Sequence, residues 1–108
     1  MARYVPDAGD IVWIDFDPLA GREQAGHRPA IVLSPAAYNG ATGLAVCCPM
    51  TSQTKGYPFE VPVPPKGVVL ADHVRSLDWQ ARRAKFKGRV APIVLSQIRD
   101  RIAELIGT

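Results

Sequence analysis

The sequence predicts a mainly β domain, in which a small and strongly bent sheet or barrel carries one helix at its C-terminal end. Short runs of β-branched and aromatic residues recur along the chain, and turns rich in glycine and proline separate them. The apolar spacing changes to a helical period only near the end. Because 108 residues are too few for two cores, residues 1–108 are predicted to form a single domain.

Seven short runs are predicted as strands. The first alternates in apolar character, and the second is a continuous apolar run that suits a strand buried on both faces. Pro62, Pro64 and Pro65 follow the fourth run and favour a place for it at the edge of the sheet. The predicted strands are residues 10–16, 30–34, 44–50, 59–61, 68–71, 74–79 and 84–90.

Two helical segments are predicted. Residues 35–43 can form one short turn, which Asn39 and Gly40 are expected to stop. The longer helix covers about residues 92–106, with Pro92 in its first turn and Gly107 just past its end. Its apolar stripe consists of Val94, Ile98, Ile102 and Leu105, supplemented by Leu95 and Ile106.

The composition narrows the class of protein. Hydrophobic residues make up 47% and charged residues 21%, which is typical of a soluble globular protein. No apolar run approaches the ~20 residues that cross a bilayer, and no signal region follows the N-terminus, so a cytoplasmic protein without a membrane partner is expected. The adjacent Cys47 and Cys48 point to opposite faces of a strand, so one is expected in the core. His27 and His73 are isolated, which argues against a metal site.

Basic residues concentrate in one segment. Residues 75–89 contain six basic side chains and one acid, Asp78, so this segment carries +5 and the remainder −2 of the net +3. Such a local patch favours a polyanionic partner. On a predicted strand four of these side chains share one face, which would attract phosphates or an acidic protein tail; they are Arg83, Lys85, Lys87 and Arg89.

The loop between the first two predicted strands contains the clearest candidate site. Glu23 and Arg28 lie five residues apart in a segment framed by Gly21 and Gly26. A solvated salt bridge between them would be worth less than ~1 kcal/mol and would have no function. A carboxylate and a guanidinium in one glycine-rich loop instead favour chemistry on a phosphodiester, and the hydroxyl-rich loop at Thr51 can converge on the same rim.

Four segments of the chain resemble the signature of the MazF/PemK family of toxin ribonucleases, and most closely its MazF branch. The resemblance runs from about Tyr4 to Gly107, nearly the whole chain. The segments are Tyr4-Val5-Pro6-Asp7-x-Gly9-Asp10, Gly21-x-Glu23-Gln24-x-Gly26-x-Arg28-Pro29, Pro49-x-Thr51 with Lys55-Gly56-Tyr57-Pro58-Phe59-Glu60-Val61, and Leu70-Ala71-Asp72.

The resemblance implies a fold, an activity and partners. The fold would be an SH3-like barrel of the CcdB/MazF/PemK type that forms a homodimer. The activity would be that of a metal-independent, cofactor-free endoribonuclease that cuts single-stranded RNA at short sequences, as an mRNA interferase does. An acidic, partly disordered antitoxin of the MazE type would inhibit it. Cleavage through the substrate 2′-hydroxyl would leave 2′,3′-cyclic phosphate and 5′-hydroxyl ends.

The resemblance also assigns catalytic roles. Glu23 is the candidate general base, and Thr51 is a candidate hydrogen-bond donor to a phosphate oxygen. Family accounts sometimes make Arg28 the general acid, but a guanidinium gives up its proton reluctantly, so Arg28 is interpreted as the clamp on the developing phosphate charge. The PemK branch uses an Arg-x-Asp pair with the aspartate as base, but here Leu70 stands in place of that arginine before Asp72. Glu23 is therefore favoured as base, with Asp72 as the alternative, and protonated Glu23 or water is the candidate donor to the leaving oxygen.

A wider set of polar residues is expected to contact RNA. Asp72 and His73 are candidates for recognising a base edge, and the remainder for holding phosphates. Trp13 and Trp79 could stack on bases, but aromatic residues in strands are expected in the core and both stay outside the set. The expected contacts are Gln24, His27, Gln53, Lys55, Asp72, His73, Arg83 and Lys85.

Two other functions share this fold class. A gyrase poison of the CcdB type would place an aromatic residue at the end of the C-terminal helix, and residues 103–108 contain none. A non-catalytic nucleic-acid-binding barrel would keep the basic segment, but a carboxylate such as Glu23 beside a phosphate would weaken its binding. The ribonuclease accounts for both features.

Overall fold

The computed structural model describes residues 3–16 and 26–107. Within them the chain forms seven strands and two α-helices, which matches the predicted β-rich domain with a C-terminal helix. In order they are β1 (Asp10–Asp15), β2 (His27–Val32), α1 (Ala36–Thr42), β3 (Leu44–Thr51), β4 (Glu60–Pro62), β5 (Val68–Leu70), β6 (Arg75–Asp78), β7 (Lys85–Arg89) and α2 (Pro92–Ile106).

All strand pairs are antiparallel, and the sheet bends at β3. The strand order is β4-β5-β3-β2-β1-β7, and β6 pairs with β3 outside that order. The first half of β3 pairs with β6, whereas its last two residues, Met50 and Thr51, pair with β5. The prediction that prolines would keep the fourth strand at an edge is confirmed, because β4 ends the sheet.

The bent sheet separates two apolar clusters. Alternate residues of each central strand supply them: Val32 and Cys47 belong to one cluster, and Ile31 and Cys48 belong to the other. Both thiols are fully buried, and burial raises the pKa of each to about 12, so both are inert apolar groups at neutral pH. The expectation that one cysteine packs in the core is confirmed.

Helix α2 covers the second cluster as its apolar stripe predicts. Val94 and Ile98 are buried against the sheet, Pro92 opens the helix, and Gly107 ends it at a φ of 77°. Neither helix in the described part of the chain is long and apolar enough to cross a membrane.

The prediction of a single helical turn stopped by Asn39 is wrong. Helix α1 runs from Ala36 to Thr42 and ends at Gly43, whose φ is 75°. Asn39 remains in the helix because its buried side-chain amide donates to the backbone oxygens of Pro6 at 2.7 Å and Ser34 at 2.9 Å. Its own carbonyl oxygen accepts from the indole of Trp79 at 2.9 Å, which fixes that residue in the core as predicted.

Two boundary predictions near the site are also wrong. Strand β2 begins at His27, so His27 and Arg28 belong to a hydrogen-bonded ladder opposite Asp15 and Ile14 rather than to a loop. The fifth predicted strand ends at Leu70, and Asp72 lies in a 3₁₀ turn, Ala71–His73.

The prediction that four basic residues share one face fails for Arg83 and Arg89. A register shift in its pairing with β1 places Arg89 opposite Asp10, whereas Lys85 lies opposite Trp13 on the other face. Arg89 makes an ion pair with the buried carboxylate of Asp10. Arg83 precedes the strand, in a turn, with a φ of 57°.

Candidate active site

Strand register brings Arg28 and Thr51 together. The β2–β3 ladder ends with the pair Ala30 and Pro49, and Arg28 and Thr51 lie two residues beyond that pair on their strands. Both residues line the same two grooves. The two candidate phosphate ligands are therefore neighbours at the end of a rigid ladder, although 22 intervening residues separate them in the sequence.

A groove of about 600 Å³ opens beside this pair. The end of β3, the loop after it, β5 and the 3₁₀ turn form its walls. Six of the residues predicted for catalysis or RNA contact meet here, together with four that were not predicted. The lining comprises Arg28, Thr51, Ser52, Gln53, Lys55, Tyr57, Glu60, Leu70, Asp72 and His73.

The loop that forms one wall of the groove is tied down by a carboxylate. Both oxygens of Glu60 accept from the backbone amide of Lys55, at 3.1 and 3.3 Å, and one of them accepts from Gly56 at 3.0 Å. Gly56 has a φ of 76°, a conformation that suits glycine. At the other end of the loop, the hydroxyl oxygen of Thr51 accepts from the amide of Gln53 at 3.2 Å, which leaves its hydroxyl hydrogen for another acceptor.

Asp72 and His73 are consecutive residues of the 3₁₀ turn, and their side chains lie close together. The Nε2 atom of His73 lies 3.9 Å from Oδ1 of Asp72, and the two side chains are 31% and 44% exposed. At that distance and exposure both groups can still turn to a ligand in the groove. Leu70 also lines this groove and is buried, so it gives the site an apolar contact.

A second groove, of about 420 Å³, lies on the other side of Arg28 and Thr51. Arg28, Thr51 and Ser52 border both grooves, so together they form a shared wall. The second groove is lined by Trp13, Gly26, His27, Arg28, Pro29, Met50, Thr51 and Ser52.

A polar network supports His27 in the second groove. Its Nδ1 atom lies 2.8 Å from Oδ1 of Asp15, and Oδ2 of the same carboxylate accepts from Arg83 at 3.0 and 3.3 Å. These hydrogen bonds, that of His27 first, hold the pKa of Asp15 below its usual value. Arg83 therefore supports the network and lines neither groove.

Trp13 forms the apolar floor of this network. Its ring is 37% exposed, and the imidazole of His27 stacks on it with planes 8° apart and centroids 5.8 Å apart. Nζ of Lys87 lies 5.5 Å from the centre of the same ring, within reach of a cation–π interaction. Trp13, which the sequence placed in the core, is therefore exposed and lines the second groove.

Three other predicted residues stand apart. Lys85 is exposed on β7 opposite Trp13 and lines neither groove. Glu23 and Gln24 lie outside the described residues, so the choice between Glu23 and Asp72 as base stays a prediction.

The arrangement suits an elongated anionic ligand. Arg28 and Lys55 provide cationic donors, Thr51, Ser52 and Gln53 provide neutral ones, and Asp72 provides a proton acceptor in the same groove. Within residues 3–16 and 26–107, histidine, cysteine and carboxylate side chains do not cluster in a set of three that could hold a metal ion. Cation, hydroxyl and carboxylate together can bind a phosphodiester and move a proton beside it.

Comparison with known proteins identifies the family. Residues 7–106 match the model of the PemK-like, MazF-like toxins of type II toxin–antitoxin systems. The chain is 56% identical over 110 residues to the endoribonuclease toxin MazF of Escherichia coli K12, with 99% of each chain covered.

Solved structures agree with this match. The crystal structure of MazF from Deinococcus radiodurans superposes with a TM-score of 0.95 at 56% identity, over 98% of this chain and all of that one. The MazF chain of a MazE–MazF complex from the same organism superposes with a TM-score of 0.89 over 98% of this chain and 99% of that one. This chain therefore belongs to the PemK-like, MazF-like toxin family of type II toxin–antitoxin systems.

Proposed function

We propose that this toxin cleaves single-stranded RNA at short sequences, without a metal ion, by using the 2′-hydroxyl of the substrate as nucleophile. The endoribonuclease activity itself comes with the family, since the curated MazF, PemK and ChpB relatives are all named endoribonucleases. The observation that supports the mechanism most strongly is the position of Arg28 and Thr51 on the wall shared by two open grooves. A strand of RNA can lie along both grooves with its scissile phosphate on that pair.

The chemistry follows from what a phosphodiester needs. The 2′-oxygen attacks phosphorus as its proton passes to a base, and charge grows on the non-bridging oxygens. The planar fork of Arg28 can bind two of these oxygens, and the hydroxyl of Thr51 can donate to one of them. Breaking the bond to the 5′-oxygen gives a 2′,3′-cyclic phosphate and a 5′-hydroxyl end.

Two carboxylates compete for the role of base. Glu23 is favoured because Leu70 replaces the arginine that accompanies the aspartate in the PemK branch. Asp72 remains the alternative, since it lines the same groove as Arg28. Gln53, Lys55 and His73, which line that groove too, are positioned to contact the nucleotides on either side of the cut.

The partners of the protein follow from its family. A MazE-like acidic antitoxin is the proposed inhibitor, because related MazF chains crystallise with MazE. Exposed cations such as Lys85 and Lys87 can attract an acidic tail or RNA. A homodimer is proposed as well, supported by exposed apolar side chains on α2, where Ile93 is 64% and Ile106 is 66% exposed. RNA as substrate implies a cytoplasmic location.

A modified substrate tests the mechanism. An RNA oligonucleotide containing the cleaved sequence is compared with one that carries a single 2′-deoxynucleotide immediately 5′ of the scissile phosphate, both in EDTA. The ribonucleotide substrate should be cut, whereas the deoxy substrate should stay intact, because it lacks the nucleophile. Cleavage of the deoxy substrate, or activity only after Mg²⁺ is added, would rule the mechanism out.

A further inference from the structure

The mechanism above gives His27 no chemical role, although contacts with Asp15 and Trp13 fix the orientation of its side chain. Asp15 is an acceptor only, because its lowered pKa keeps it ionised and because its other oxygen already accepts from Arg83. The Nδ1 atom of His27, 2.8 Å away, must then carry the shared hydrogen. Proton exchange with a ligand is thereby confined to Nε2.

The plane of the imidazole ring is fixed independently. Trp13 stacks on the ring with an angle of 8° between the planes, while the side chain of His27 remains 48% exposed. A carboxylate behind an imidazole and an aromatic surface beside it hold the ring in one orientation, as the carboxylate does in Ser-His-Asp hydrolases.

His27 lies in the second groove, on the opposite side of Arg28 and Thr51 from Asp72. In transphosphorylation the attacking 2′-oxygen and the leaving 5′-oxygen stand in line on opposite sides of phosphorus. A phosphate held by Arg28 and Thr51 exposes one side to each groove, since both residues border both grooves. Asp72, the alternative base, lines only the first groove and His27 only the second. With Asp72 as base, a proton acceptor and a proton donor would therefore lie on opposite sides of a phosphate held there.

We propose that His27 is the general acid of the cleavage reaction and that Asp15 and Arg83 are its positioning residues. The inference rests on the proposed function. As the 2′-oxygen forms its bond to phosphorus, the bond to the 5′-oxygen breaks and its electron pair stays on that oxygen. The oxygen takes the Nε2 proton of the His27 imidazolium, and neutral imidazole remains with its Nδ1 hydrogen on Asp15. A proton from solvent restores the acid.

A substrate with sulfur in place of the bridging 5′-oxygen tests this step. A thiolate leaves without protonation, so such a substrate does not need the acid. On the oxygen substrate, His27→Gln should cut about 10²–10⁴-fold more slowly than the parent protein, the usual contribution of a general acid. On the sulfur substrate, it should cut within about tenfold of the parent, since only acid catalysis was removed. Asp15→Asn should show a smaller loss with the same recovery.

Two matched variants separate this role from binding. Arg28→Ala should lose rate on both substrates, because the phosphate needs its clamp in either case. Any loss in His73→Gln, a histidine of the first groove, should likewise be equal on both. Thermal unfolding of each variant shows whether it is folded under the assay conditions.

The remaining outcomes are distinct. An equal loss by His27→Gln on both substrates would overturn the inference and make His27 a binding residue. Cleavage of the oxygen substrate at the parental rate by that variant would overturn it too. A parent protein that cuts neither substrate would instead overturn the proposed function.

Discussion

At the scale of single residues, the site depends on side chains whose positions are set by strand register. Arg28 stands at the second residue of β2 and Thr51 at the last residue of β3, so both backbones are fixed by ladder hydrogen bonds. A guanidinium held in this way can meet two phosphate oxygens with little loss of freedom on binding. An arginine in a loop, as the sequence suggested, would have to be ordered by the substrate.

This placement leads to a prediction for Arg28. Arg28→Ala should lower kcat/KM for RNA cleavage about 10²–10³-fold, because stabilisation of the developing charge is lost. Arg28→Lys should recover only part of the rate, since an ammonium group cannot bind two oxygens as a planar fork does. Arg101→Ala, on the exposed surface of α2, is the matched control and should keep the parental rate. A fully active Arg28→Lys variant would contradict the proposed two-oxygen clamp.

The residue scale also shows where sequence reasoning ends. Arg28, Thr51 and Asp72 could be named because short motifs contain them. Glu60 also lies in such a motif, but its role could not be predicted, because its contacts with the amides of Lys55 and Gly56 depend on how the loop closes. Asp15 was missed for a similar reason, since only strand register shows that it faces His27.

At the scale of elements, helix α1 owes its start to a residue far away in sequence. Pro35 precedes the helix and gives no side-chain cap. Instead Oδ1 of Asp7 accepts from the amide of Ala36 at 2.9 Å and from that of Ala8 at 2.9 Å. These backbone hydrogen bonds, that of Ala36 first, lower the pKa of Asp7, so the ionised carboxylate is favoured in the folded state.

The sign of the pH dependence follows. A carboxyl group whose pKa is lowered by folding stabilises the fold at neutral pH, and this stabilisation disappears as the pH falls below the ordinary value of 3.8 and through the folded-state pKa. Asp7→Ala should therefore lower the free energy of unfolding by about 1 kcal/mol at pH 7, as the loss of a helix cap does. The difference from the parent protein should shrink towards acidic pH.

Urea unfolding at neutral and acidic pH measures this difference. Asp100→Ala, which removes an exposed carboxylate from α2, is the matched control for charge alone and should cost little at either pH. A loss for Asp7→Ala that stayed constant between the two pH values would show that the ionised carboxylate is not what stabilises the helix.

Element boundaries show which local signals were overridden. Asn39 and Gly40 form a turn signal, yet α1 continues through them because the buried amide of Asn39 is satisfied by Pro6 and Ser34. The alternation along β7 predicted one basic face, but a register shift against β1 turns Arg89 away to Asp10. By contrast, α2 was predicted at both ends, because Pro92 and Gly107 are strong local signals.

At the scale of the whole molecule, the charge is distributed to suit RNA. Two exposed basic residues of β7 lie next to Trp13 of β1: Lys85 is its partner in the sheet, and Nζ of Lys87 lies 5.5 Å from the centre of its ring. Arg89 does not contribute to this patch because it makes an ion pair with Asp10, and Arg83 likewise makes an ion pair with Asp15. The patch is therefore smaller than the sequence suggested and lies beside the second groove.

A salt titration tests this patch. The affinity for a single-stranded RNA substrate should fall as salt rises, and Lys85→Ala should reduce the log–log slope by about 0.7, the value for one lost phosphate contact on a single strand. Lys66→Ala, in the turn between β4 and β5 at the far end of the strand order, should leave the slope unchanged. Equal slopes for the parent and Lys85→Ala would show that Lys85 does not contact an RNA phosphate.

The whole fold was the most predictable level. The apolar residues of β1 and β2 follow from burial. The run in β2 is continuous because the sheet has an apolar cluster on each face, one containing Val32 and the other Ile31. Strand order could not be predicted in this way. The local sequence does not show that the first half of β3 pairs with β6 while its last two residues pair with β5. That division brings Asp72 to the groove that contains Thr51.

The central claim is that Arg28 and Thr51 hold a phosphate during attack by the 2′-hydroxyl, and end-group analysis tests it most directly. A long single-stranded RNA is incubated in EDTA with the purified protein or with Arg28→Ala, and the ends of the fragments are identified. The account predicts discrete cuts with 2′,3′-cyclic phosphate and 5′-hydroxyl ends, nearly absent with the variant. Fragments with 5′-phosphate ends, or intact RNA from a folded, antitoxin-free sample, would contradict it.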